Sequence, residues 1–300
     1  ENTTETHTKI WFWMIGKKCM GLKMGNKKCL LCKSDKTKFK FTFDGLDIYL
    51  NKMGISDFEL NWYECDSCGV YFSEQYENIE KVYEDETLYD AAYDENEIKI
   101  RYEKIINLPE AGSDNAQRVK RCKEYHKGLC RLHGVQKNTY DVLDIGAGLG
   151  VFVAKFADEH YICSALELNK VATAHIKSAM PSTIVYQDYT QNLNFQNAFD
   201  IITLNRVLEH IKTPINVLSD VYMALSENGM LYLELPDNFS FALDGSSNEA
   251  FSSGHYMVYN DSSIMYLFRQ TGFRLMKLER LKEPSGKYTI YAIGIKNEIL

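Results

Sequence analysis

The chain has 300 residues, 45% hydrophobic and 25% charged, with 5 Pro and 18 Gly; this excludes a disordered, collagenous or low-complexity chain and fits one large globular domain or two ordinary ones. The formal net charge of −7 is unevenly placed, with ten Lys against three acids in residues 1–40, twelve bases against twenty acids in 41–140, and twelve against eighteen in 141–300. An acidic body is ill suited to phosphate backbones, so a nucleic-acid partner is not expected, and no run approaches the roughly 18 apolar residues of a membrane-spanning helix.

Residues 1–23 are expected to be an upstream tail, because Met14, Met20 and Met24 each offer a natural start. The short apolar run Ile10–Ile15 lacks the length and the cleavage site of a secretory signal, so a cytoplasmic protein is expected. Residues 24–75 then read as a metal module. Cys29-Leu-Leu-Cys32 and Cys65-Asp-Ser-Cys68 are two C-x-x-C knuckles, and Gly69 follows the second, where the chain needs a residue that tolerates positive φ. Four thiolates brought to one tetrahedral point make a closed structural Zn²⁺ site. Lys27, Lys28 and Lys33 flank the first knuckle and offset its negative charge. Phe39–Phe43, Ile48–Leu50 and Leu60–Tyr63 are the expected strands between the knuckles. The cysteines at 19, 122, 130 and 163 show no ligand spacing, and Cys163 reads as a small buried apolar residue.

Residues 76–138 read as a helical connector with acidic faces, ending in a helix over 116–133 that Gly134 terminates. From 139 to 300, short apolar strands alternate with helices. Strands are expected at 140–145, 161–167, 183–187, 199–204, 229–235, 273–279 and 287–296. Helices are expected at 149–159, 169–179, 213–226, with Pro214 at its first position, and 261–271, with Asp261 as its cap. The alternation implies an α/β fold, a Rossmann-like, mostly parallel sheet of seven strands. The last two strands, joined by a short loop, close it as an antiparallel hairpin.

The sharpest motif is Asp144-Ile-Gly146-Ala-Gly148-Leu-Gly150, where a strand runs through a glycine turn into a helix. Such a turn lets the backbone approach a ligand at the strand's carboxyl end. A dinucleotide fingerprint needs its third Gly at 151, which is Val; and a carboxylate at 144 suits a cationic or amino-bearing ligand rather than a pyrophosphate. Glu167, at the end of the next strand, suits two ribose hydroxyls, and Asp188, after the third, suits an adenine amino group.

On these residues, with Phe199–His210 at the fourth strand and Gly229–Pro236 at the fifth, residues 141–296 resemble a class I S-adenosylmethionine-dependent methyltransferase. The resemblance implies that the loop glycines line the cofactor and that Asn205 meets its methionine amino group through the backbone. A four-cysteine module ahead of such a domain is similar to bacterial sugar and surface-polysaccharide methyltransferases. This implies O- or N-methylation of a sugar nucleotide, glycan precursor or related small metabolite. C-methylation is less expected, since the further C-terminal domain that many of those enzymes carry is not in this sequence. An RNA methyltransferase using the zinc module for RNA, and a non-catalytic cofactor-binding scaffold, are the competing readings.

Transfer to an oxygen is helped by a base titrating near neutrality, for which His is the natural type. His255, in the long loop 237–259 after the fifth strand, is the expected base; His210 is the second candidate, with a role in holding the cofactor-side loop. Phe239, Phe241, Phe251, Tyr256 and Tyr259 are expected either to pack on a sugar ring or to form that loop's own core. His126, His133, His160 and His175 carry no expected function.

Overall fold

The computed structural model describes residues 27–47, 50–51, 58–74, 95–188, 190 and 194–296. Cys19, the tail over residues 1–23 and most of the acidic part of the connector lie outside them.

Near the N-terminus, β1 (Thr37–Thr42), β2 (Asn61–Cys65) and β3 (Tyr71–Ser73) form an antiparallel meander. Two of the expected strands are there. Of Ile48–Leu50, residues 48 and 49 lie outside the described residues, and Leu50 stands in a helical turn closed by Asn51 N–H on Asp47 O. The meander has a fourth strand, β9 (Met257–Val258), which pairs antiparallel with β3 through Tyr71↔Val258 and Phe72↔Met257.

Helix α1 (Glu95–Ile106) and helix α2 (Asp114–His133) lead into the second sheet. Ser113 caps α2 by accepting from Ala116 N–H, and Gly134 ends it with φ 66°. The 3.6-residue repeat puts Val119, Cys122, His126 and Leu129 on one buried face, as the sequence pattern predicts.

The second sheet has seven strands: β4 (Tyr140–Ile145), β5 (Tyr161–Leu166), β6 (Ile184–Tyr186), β7 (Phe199–Asn205), β8 (Leu225–Pro236), β10 (Arg274–Lys282) and β11 (Tyr288–Ile295). Their order is β10-β11-β8-β7-β4-β5-β6. All pairings from β6 to β8 are parallel; β11 alone runs against its neighbours, and with β10 it makes the expected hairpin. The central strands β7 and β8 are apolar runs buried on both faces, which only a sheet covered on both sides permits. Covering them are α3 (Val151–Phe156), α4 (Lys170–Ala179), α5 (Pro214–Ala224) and α7 (Asp261–Thr271), with a short α6 (Ser240–Asp244) in the loop after β8. The cap of α7 differs from expectation. Asn260 accepts from Ser263 N–H and completes a capping box, while Asp261, one residue further, pairs with Arg280.

The strand order reverses direction between β4 and β7, so a crevice opens outside their carboxyl ends. The same end faces the N-terminal module. Cys29, Tyr63, Cys65, Val70 and Phe72 share one apolar cluster with Leu208, Met257, Tyr259 and Leu267, so the module and the large sheet bury a common core.

Candidate active site and metal centre

At the crevice, Gly146, Gly148 and Gly150 have φ of 68°, 53° and 74°, three left-handed residues in a five-residue turn between β4 and α3. Such a turn aims backbone N–H groups at one space. Gly148 is the position that requires glycine for a ligand: a Cβ there would meet nothing within 4 Å, so the space beside it is open. Its N–H donates to Glu167 Oε2 at 2.7 Å, and Asn169 N–H donates to Glu167 Oε1 at 2.9 Å. Glu167 is thus fixed at the end of β5 beside the loop. Burial raises its pKa, and the two N–H donors act the other way.

Asp144 is buried at the end of β4. Its Oδ1 accepts from Thr203 Oγ1 at 2.5 Å and from Asn205 Nδ2 at 3.0 Å, which ties β4 to β7 across the switch point. Desolvation pushes its pKa up to about 7, against the opposing pull of those two donors and of Arg118. Asn205 Oδ1 is buried with no hydrogen-bond partner among the described residues. A buried amide oxygen left unpaired is costly, and a ligand cation in the crevice would satisfy it. Asp188 follows β6 and is half-buried. The open side of Gly148, the orphaned Asn205 oxygen and the two acids fit a cationic ligand with hydroxyl groups, which is the chemistry of S-adenosylmethionine.

Sequence reasoning missed a buried ion network under this crevice. Arg118, from α2, donates through Nε to Glu234 Oε2 at 2.8 Å and through Nη2 to Glu234 Oε1. Arg121 bridges Glu234 and Glu283 at 3.2 and 2.7 Å. Glu234 is fully buried, and although burial works against it, the two arginines hold its pKa down to about 2. Arginines one turn apart on a helix were the available signal, but the strand glutamate that pairs them reads as an ordinary β-sheet residue.

The two expected histidines come together. His210 ends a 3₁₀ turn, Leu208–His210, just after β7, and His255 precedes β9; their ring centroids are 4.6 Å apart at 69°. His210 Nδ1 lies 2.9 Å from Gly254 O, and His255 Nδ1 lies 2.8 Å from Ala250 O. Burial, and for His255 the neighbouring His210, lower both pKa values, His255 to about 3. The sequence asks for an imidazole near neutrality; this pocket holds it far below. Glu209, which sequence reasoning passed over, joins them, with its pKa pushed up to about 8 by burial. The aromatic residues of the loop form its core. Phe251 and Tyr259 are fully buried, Tyr256 is buried, and Phe241 stacks on Phe41 at 4.4 Å, while Phe239 is exposed.

The four knuckle cysteines also converge. Cys29 and Cys68 Sγ are 3.7 Å apart, Cys32 and Cys65 Sγ 3.5 Å, and all four lie within 4.8 Å of one another. Thiolates at about 2.3 Å from a tetrahedral Zn²⁺ sit about 3.8 Å apart, so the residues fit the ion. Gly69 has φ 77°, and a Cβ there would meet Asn260 Nδ2 at 2.7 Å. Close approach as well as conformation excludes a side chain. Asn260 and Asn238 both donate to Gly69 O, at 3.0 and 3.3 Å, which fastens the second knuckle to the loop after β8 and to the cap of α7.

A Rossmann-like sheet in this strand order, with a glycine turn at its switch point, is the fold of class I methyltransferases. Comparison with known proteins agrees. The model of the family described as "Methyltransferase domain" matches residues 115–278, and the chain belongs to that family. It carries a methyltransferase domain, and its fold is shared with S-adenosylmethionine-dependent methyltransferases. A ubiquinone biosynthesis O-methyltransferase of Histophilus somni is 28% identical over 102 residues, covering 30% of this chain and 42% of that protein. The chain therefore spans about two fifths of that curated relative. The solved structure of the Burkholderia thailandensis 1,6-didemethyltoxoflavin-N1-methyltransferase, with bound 1,6-didemethyltoxoflavin and S-adenosylhomocysteine, is similar with a TM-score of 0.51 and 14% identity, over 81% of this chain and 98% of that one. Magnesium protoporphyrin IX methyltransferase from Synechocystis PCC 6803 is similar with a TM-score of 0.45 and 11% identity, over 60% and 79%. Among the described residues no helix is long and apolar enough to cross a membrane.

Proposed function

We propose that this protein transfers a methyl group to an oxygen or nitrogen of a small-molecule acceptor of the sugar-nucleotide, glycan-precursor or related-metabolite class. The cofactor is held by Asp144, the loop glycines 146, 148 and 150, Glu167, Asp188 and Asn205; a structural Zn²⁺ is held by Cys29, Cys32, Cys65 and Cys68. The observation that carries the reading is the open, left-handed Gly148 turn braced on Glu167 beside the unpaired Asn205 oxygen. Bound there, S-adenosylmethionine supplies an electrophilic methyl on a sulfonium. The chain's own residues do the rest. Glu167 accepts from ribose hydroxyls, Asp188 from the adenine amino group, and Asp144 and Asn205 offset the ligand's positive charge.

The acceptor's polar end meets His210 and His255, which stand beyond the end of β7 on the loop side of the crevice. His255 takes the proton of an O–H acceptor. Its depressed pKa makes that transfer uphill at neutral pH, so an amine acceptor, or a cation held at the same atoms, lowers the demand. The small-molecule reading is also supported by the bound heterocycle in the Burkholderia neighbour. The test is to incubate the purified protein with S-adenosylmethionine and a panel of sugar nucleotides and hydroxylated or amino metabolites, reading S-adenosylhomocysteine and product mass. Acceptor-dependent S-adenosylhomocysteine supports the reading. None across the panel, with a short structured RNA methylated instead, overturns the acceptor class.

A further inference from the structure

Glu209, His210 and His255 combine three features that the methyltransferase reading leaves unexplained. The first is convergence: one carboxylate oxygen and one nitrogen from each ring all lie within 4.8 Å of one another. A metal at about 2.0–2.2 Å from each ligand in a tetrahedral site spaces such atoms about 3.3–3.6 Å apart, so the set closes on an ion by side-chain shifts of up to about an ångström.

The second is the tautomer. Each Nδ1 faces a backbone carbonyl, Gly254 O at 2.9 Å and Ala250 O at 2.8 Å. A carbonyl only accepts, so Nδ1 carries the proton in both rings and Nε2 carries the lone pair. Metal-bound imidazoles are held this way, the second nitrogen donating to a carbonyl that fixes the ring.

The third is the carboxyl group. Glu209 is 1% exposed, and its Oε2 has no hydrogen-bond partner among the described residues. Its backbone is pinned by Tyr256 N–H on Glu209 O at 2.7 Å, and Tyr259 OH donates to Leu208 O. An orphaned buried carboxyl is expensive unless something positive meets it. The charged groups that act on the trio are Arg206, Glu234 and Lys287. Arg206 is directed elsewhere: its Nη2 donates to Thr289 Oγ1 at 2.8 Å.

We propose that Glu209, His210 and His255, each through one ligand atom, form a second metal site, separate from the four cysteines, which takes a first-row divalent ion such as Mn²⁺, Co²⁺ or Zn²⁺ and leaves a position for an acceptor oxygen; with the ion bound, His255 is a ligand and not the proton acceptor. Two imidazoles and one carboxylate select this group of ions over the softer set that thiolates prefer, and three protein ligands leave coordination open. Ala250, whose carbonyl holds His255, and Arg206 line a cavity of about 300 Å³ with Asn248 and Tyr288, which the three ligands themselves do not line. The acceptor's place on the metal rests on the function proposed above; the binding of metal does not.

The test titrates Co²⁺ into the full-length protein as purified, its cysteine-held metal counted beforehand by mass spectrometry, and follows ligand-field absorption and calorimetry. About one further Co²⁺ per chain is expected, with no new thiolate-to-cobalt charge-transfer band. Glu209→Gln and His255→Ala should each weaken it at least tenfold, while affinity for S-adenosylhomocysteine and the count of cysteine-held metal stay unchanged. His210→Gln serves as the second ligand variant should Glu209→Gln melt early. Absence of a second ion, or equal Co²⁺ affinity in wild type and the folded ligand variants, overturns the site. Methyl transfer is scored separately in the same preparations: intact transfer without a second ion removes this inference alone, whereas a second ion without transfer to any acceptor removes the proposed function alone.

Discussion

Asp144 is a carboxyl group buried at the end of β4, and with the cofactor bound as proposed above its pKa near 7 makes cofactor affinity depend on pH in a calculable way. The cause is desolvation, only partly offset by the Thr203 and Asn205 donors. Because the folded pKa is raised above the ordinary 3.8, the ionised form costs stability, and that cost grows as pH rises through the window from about 4 to 7. A ligand cation reverses the preference by favouring the carboxylate. If the complex keeps Asp144 ionised, apparent affinity scales with the fraction already ionised in the free protein. That fraction is about 9% at pH 6 and about 91% at pH 8, so affinity for S-adenosylhomocysteine should fall roughly tenfold between pH 8 and pH 6, about 1.4 kcal/mol. Isothermal calorimetry in buffers of different ionisation enthalpy should show close to half a proton released per binding event at pH 7. Asp144→Asn keeps an oxygen for Thr203 and Asn205 and removes the titration, so its affinity should lose most of that slope, leaving the ligand's own amino group as the residual. A wild-type slope equal to that of Asp144→Asn, with no buffer-dependent heat, would refute the reasoning.

Gly148→Val puts a branched side chain into open ligand space at a left-handed φ, so it should abolish S-adenosylhomocysteine binding by calorimetry while the protein still folds. Glu167→Ala should weaken that binding by about 1–3 kcal/mol through lost hydrogen bonds; unchanged affinity in both variants would remove the cofactor assignment. Protein purified without added metal should contain about one zinc in the cysteine site, and Cys65→Ser should lower the melting temperature and loosen the loop around His255, seen as faster amide exchange over residues 250–260. His255→Ala should cut turnover by about 10²–10⁴-fold with cofactor affinity nearly unchanged, and near-full turnover would make that histidine a packing residue. Arg118→Met leaves the Glu234 carboxylate short of its main partner in full burial, so urea unfolding at neutral pH should show a loss of about 3–5 kcal/mol. Since the folded pKa of Glu234 is depressed, that loss should shrink only as pH falls from about 4.5 toward 2, and a difference constant with pH would contradict it.

Features encoded by neighbours in sequence were legible in advance. The knuckles, the glycine turn, the acids at successive strand ends and all seven strands of the large sheet are local patterns, and the structure has those strands within a few residues of their expected bounds. What long-range pairing decides was not legible. β9 is two residues long and carries no strand pattern of its own; it exists because the free edge of β3 lies beside it. The cap of α7 fell to Asn260 rather than Asp261 because the residue one position earlier also reaches Gly69 across the module boundary. Glu209 has no role of its own in the fourth-strand motif as read from sequence and becomes notable only once burial strips its solvent. The depressed pKa of His255 has the same origin: two histidines 45 positions apart share one pocket.

The strand that β9 lends to the N-terminal sheet gives the chain a definite order of assembly. Tyr71 and Phe72 pair with residues 257 and 258, Trp62 Nε1 donates to Phe251 O, and Asp47 accepts from both the backbone and the hydroxyl of Ser253. During synthesis the meander waits, with β3 as an open edge, until nearly two hundred further residues have emerged; slow, chain-distant closure of this kind favours aggregation of the incomplete product. Cutting the chain at the boundary the sequence suggests, near residue 138, divides a single sheet rather than separating two domains. A fragment of residues 139–300 would carry β9 with nothing to pair against, and the loop that holds His255 would lose the surface that shapes it.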